Sequence, residues 1–131
     1  AKAAIYWGGA VFCFAADVRI REETRGKRSL DDVLRAGLAR GGDATKVWTV
    51  ADVVRLADQV TGTTVVSEMY DRHAARGERI DLDGLLASLG VDHGGNELDD
   101  RRPLAWVRKD IVGGRASAGA VAAKTPAAPA R

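Results

Sequence analysis

A phenol, two imidazoles, one thiol and a few neighbouring carboxylates are the groups in this chain whose types and spacing could do chemistry. Tyr6 stands at the entrance of a strongly apolar stretch. A phenol fixed at a dry site can donate a hydrogen bond to a developing oxyanion. The same residue also reads as an aromatic core residue with its hydroxyl at the rim. His73 lies beside Asp71 and Arg72 on the outward arc of a helical segment and reads as a surface histidine. His93 sits in the turn His93-Gly94-Gly95-Asn96 and reads the same way. Cys13 is the one cysteine, so no internal disulfide forms and no zinc site rests on thiolates. Within an apolar run it is expected to be a buried structural thiol. Asp31-Asp32 and the Asp81/Asp83 pair could be read as paired carboxylates, but helix capping explains both more cheaply. His-Glu-x-x-His, a Gly-rich phosphate loop and a nucleophile elbow are all missing from the sequence.

The elements that would hold these groups are helices. From Ala10 to Ala16 no side chain is polar, and a helix apolar all round expects protein on every side. That helix spans about Ala4 to Thr24, becomes amphipathic past Ala16 and stops at Gly26. It begins at the very edge of the chain, which predicts that the chain is part of something larger. Ser29 caps a second helix with Leu30, Val33, Leu34 and Leu38 on one face, closed by Gly41-Gly42. Thr49 caps a third, with Asp52 completing a short capping box and Gly62 ending it. Its stripe is Val50, Val53, Val54, Leu56, Ala57 and Val60.

A fourth helix starts at Thr63 or Thr64, turns Val65, Val66, Met69 and Tyr70 inward, and ends at Gly77. A short fifth opens at Asp81 or Asp83 and runs through Leu85, Leu86 and Leu89 to Gly90. Leu104, Trp106, Val107, Ile111 and Val112 form a last apolar patch, a strand or a short helix. The expected fold is an all-α bundle of about five helices around the apolar first helix. It covers residues 1–112, and residues 113–131 form a disordered Gly/Ala/Pro tail by composition.

With 20 basic and 18 acidic residues the net charge is +2, which makes no electrostatic case for nucleic acid or an anionic membrane. No apolar run reaches the roughly twenty residues of a membrane span.

Three segments together resemble the glycyl aminopeptidase family of thermolysin-like zinc metallopeptidases. They are Tyr6-Trp7-Gly8-Gly9-Ala10, then Ala16-Asp17-Val18-Arg19-Ile20-Arg21, then Arg28-Ser29-Leu30-Asp31-Asp32-Val33-Leu34-Arg35. They look like the family's Tyr-x-Lys-Gly-Ala run, the long helix ending in Asp-x-x-Ile-Arg, and the Ser-Leu-Asp-Asp-Val helix that follow its zinc-binding helices. Asp83-Gly84-Leu85-Leu86 to Leu89-Gly90-Val91 is similar to the closing helix, and Leu104-Ala105-Trp106-Val107-Arg108 resembles the ending of members without a trailing peptide-binding domain. Gly8 stands where the family has lysine.

The resemblance implies that this chain is the C-terminal helical part of a catalytic domain. Tyr6 would stabilise the tetrahedral intermediate, and the zinc would be held by the remainder of the domain in the parent. No residue here matches the zinc ligands or general base, so the chain alone is expected to bind no catalytic zinc and hydrolyse no peptide. By itself it is expected to pair as a homodimer through its first helix. The alternative is a non-catalytic helical protein-interaction module.

Overall fold

The computed structural model describes residues 2–41, 47–92 and 94–114, with side chains from Gly8 onward. Among these residues the chain is helical throughout, with α1 (Lys2–Thr24), α2 (Leu30–Ala39), α3 (Val50–Thr61), α4 (Val65–Met69), α5 (Leu82–Leu89) and α6 (Ala105–Gly113). The all-α architecture read from stripes, caps and stops is the one observed. Residues 115–131 of the expected tail, and His93, lie outside the described residues. The chain divides into two compact units, residues 1–85 and 86–131.

The first unit is organised around the C-terminal half of α1. Ala15, Ala16 and Ile20 are buried together with Val33 of α2, Ala57 of α3, and Val65, Val66 and Met69 of α4. Phe12, Leu30, Val54, Val60, Ile80 and Leu85 pack against this cluster from its edge. Each helix end has a local cause. At the end of α1 the Gly26 N–H donates to the Arg21 carbonyl at 2.8 Å, and Arg25 takes the left-handed conformation at φ +55°. That is a Schellman stop in which Arg25, one residue before the expected glycine, turns the chain. At the start of α3 the Asp52 N–H donates to Thr49 Oγ1 and the Thr49 N–H to Asp52 Oδ2, both at 3.0 Å, a closed capping box. Gly62, at φ +70°, closes α3 and donates to the Asp58 carbonyl. Asp81 opens α5, where its Oδ1 accepts from the Gly84 N–H at 3.0 Å.

Four readings are corrected by the packing. Leu34 and Leu38, expected inward, are 60 and 66 % exposed. The strip beside them makes the contact instead. The strip that faces α3 is Val33–Gly37: Val33 is buried, and a β-carbon on Gly37 would lie in ordinary contact with Leu56, 3.6 Å from its Cδ2. Val50 and Val53 are left exposed as well. Tyr70, also expected inward, is exposed. There α-geometry gives way to a π-helical stretch, Tyr70–Ala75. Tyr70 is the first residue of that stretch and stands at the edge of the arc of Val65, Val66 and Met69, where it lines an open groove. The last apolar patch resolves as the helix α6, with Ala105 and Val107 buried and Val112 exposed. The fourth correction, at Cys13, belongs to the groove described below.

In the second unit, two arginines hold the end of α5. Arg102 Nε donates to the Ala87 carbonyl at 2.9 Å and Arg108 Nη1 to the Leu89 carbonyl at 2.8 Å. Cations satisfying the last carbonyls of a helix also complement its dipole. Val91 and Leu98 form an isolated antiparallel bridge that returns the chain toward α6.

Candidate functional site

Two places in the first unit bring polar or reactive groups together. One is the joint between α1 and α2. Asp17 and Arg21 lie one turn apart on α1, and the Arg21 Nε donates to Asp17 Oδ2 at 2.9 Å. Their side chains are only 7 % exposed for Arg21 and 17 % for Asp17. The other carboxylate oxygen, Asp17 Oδ1, accepts the Leu30 N–H at 2.8 Å, the first helical N–H of α2. A carboxylate at a helix N-terminus is favoured by the dipole and by the otherwise unbonded N–H groups. Alongside it, the buried Ser29 donates its N–H to Asp32 Oδ2 at 2.8 Å. Asp17, Arg21, Ser29 and Asp32 thus form one connected joint that fixes the start of α2 against α1. Asp31 is exposed, outside this network, so Asp31-Asp32 is not a facing pair of acids.

The second place is a groove along the first half of α1. Gly8, Gly9, Val11, Phe12 and Cys13 form one wall, and Tyr70, His73, Ala74, Glu78, Arg79 and Ile80 form the other, around an open volume of about 630 Å³. Cys13 is exposed here, not buried. The apolar run does not imply burial because, among the described residues, the fully buried positions of α1 begin only at Ala15, and Cys13, although it shares the face of Ala16 and Ile20, comes before them along the helix. His73 is half-buried, and its Nδ1 donates to the Glu78 carbonyl at 2.6 Å, which fixes the ring against the groove wall. Glu78 in turn pairs with Arg72 at 3.1 Å and Arg76 at 3.5 Å. Arg79 carries no ion pair among the described residues.

Tyr6 falls in the early turns of α1, ahead of this groove, and its side chain lies outside the described residues. Asp81 serves as the cap of α5 and Asp83 is exposed on its first turn. Among the described residues no three His, Cys, Asp or Glu side chains are grouped to hold a metal ion. No described helix is long and apolar enough to cross a membrane.

No family model matches the chain, and no curated protein or solved structure matches it.

Elsewhere the charged groups serve the frame. The Thr64 hydroxyl, and after it Arg19, holds Glu68 below the ordinary glutamate range. Arg19 reaches both Glu23 at 2.9 Å and Glu68 at 3.6 Å, tying α1 to α4. The bonds from Thr49 lower Asp52 in the same way. The sequence reading missed the Asp17–Arg21 joint and the π-stretch. The joint had a signal, an i, i+4 pair of opposite charge on a helix that is otherwise apolar on that arc. The π-stretch had none in the residue types.

Proposed function

We propose that this chain is the C-terminal helical subdomain of a zinc aminopeptidase-like protein, inactive alone, and that it contributes Tyr6 to the active-site wall of the parent. The observation that carries the reading is the α1–α2 joint. The resemblance rests on Asp-x-x-Ile-Arg closing one helix and Ser-Leu-Asp-Asp opening the next. In this fold Asp17 and Arg21 bond each other, Asp17 reaches Leu30, and Ser29 bonds Asp32. Ile20, between the two charged residues, is fully buried in the core. The pattern is therefore one physical unit with a reason to occur as a unit, and not four separate coincidences.

Among the described residues no three His, Cys, Asp or Glu side chains are grouped to hold zinc, and in this reading the metal would belong to the remainder of the catalytic domain. The part left to this chain is electrostatic. In the early turns of α1, the Tyr6 phenol donates a hydrogen bond to the oxyanion of the tetrahedral intermediate as the peptide carbonyl is attacked. A donor of this kind helps most where water is excluded and the group needs no reorganisation. The isolated chain should hydrolyse no aminoacyl substrate, with or without added zinc. In the full-length protein, Tyr6→Phe should lower kcat by about a hundredfold to a thousandfold with little change in KM, because the bond is made only in the transition state. Equal kinetics for mutant and wild type would remove Tyr6 from the mechanism.

One observation favours a second reading, a non-catalytic interaction module. The Gly8–Cys13 face of α1 is open in a helix whose sequence asks for protein on all sides.

A further inference from the structure

We draw no further inference here: the strongest candidate, the groove between the first half of α1 and the wall of Tyr70, His73 and Ile80, with the exposed Cys13 on its α1 side, carries nothing because nothing in the structure shows what covers it.

Discussion

Replacing Asp17 with alanine removes two bonds at once. The first is the 2.9 Å contact with Arg21 and the second the 2.8 Å contact with the Leu30 N–H. The Arg21 side chain is only 7 % exposed, so water replaces the carboxylate poorly. A hydrogen bond to a charged group contributes about 2 kcal/mol net. Loss of a side-chain acceptor at a helix N-terminus costs about 1 kcal/mol. The two give a destabilisation of roughly 3 kcal/mol, at the lower end of the range for breaking a buried ion pair. For a domain stable by about 5–15 kcal/mol this is a large fraction. Urea unfolding followed by helical circular dichroism reads it as a lower midpoint at unchanged slope. Asp17→Asn keeps an acceptor for Leu30 and should fall between mutant and wild type. The reference is Glu23→Ala, which breaks the half-exposed pair with Arg19 and should cost less than about 1 kcal/mol. If Asp17→Ala costs no more than Glu23→Ala, the joint does not hold α2 to α1 and the physical support for the proposed function goes with it.

Two further outcomes follow from the same geometry. Gly90→Ala and Gly62→Ala both force a side chain onto positive φ, at +82° and +70°. At Gly62 the β-carbon meets nothing, and the cost should be about 1 kcal/mol. At Gly90 it would lie 2.7 Å from Arg108 Nη1 and closer still to the Asp99 carbonyl oxygen. Thermal unfolding should therefore show a clearly larger loss for Gly90→Ala, and equal losses would contradict the close approach. Acid should destabilise the fold through its bonded carboxylates. Glu68 is held down first by Thr64, Asp52 by Thr49, Asp99 by Arg101, and Asp100 by Lys109 and then Arg108. Depressed folded values mean that the stabilisation is present above the ordinary values of 3.8 for Asp and 4.5 for Glu. It is lost as pH falls through the lower folded values. Unfolding free energy should stay level down to about that range and decline below it, less so in Glu68→Gln. A decline that begins near neutrality would point to other groups.

The local rules were legible in the residues. Thr49 with Asp52, Asp81 before Gly84, and Gly62 after Thr61 place helix ends by short-range geometry, because capping depends on atoms only a few residues apart. The 3.6-residue stripes likewise gave an all-helical chain, since burial of one face is a local periodicity. What the stripes could not give was which part of each face is covered. Leu34 and Leu38 have the spacing of core residues and are exposed, while on the strip beside them Val33 is buried and Gly37 faces Leu56. That choice depends on where α3 docks, a property of two helices and not of one.

The candidate site divides in the same way. The sequence by itself determined that a phenol, a glycine pair and a thiol follow one another on a strongly apolar helix, and that Asp17 and Arg21 are spaced to meet. Only the tertiary structure decided that Asp17 also reaches Leu30, thirteen residues on. It likewise brings Tyr70 and His73 across from Gly9 and Cys13, with the thiol open to solvent. Covalent order fixes which side chains share a helix face. The docking of helices fixes which faces meet, and that depends on contacts between residues far apart in the chain, which no local pattern records.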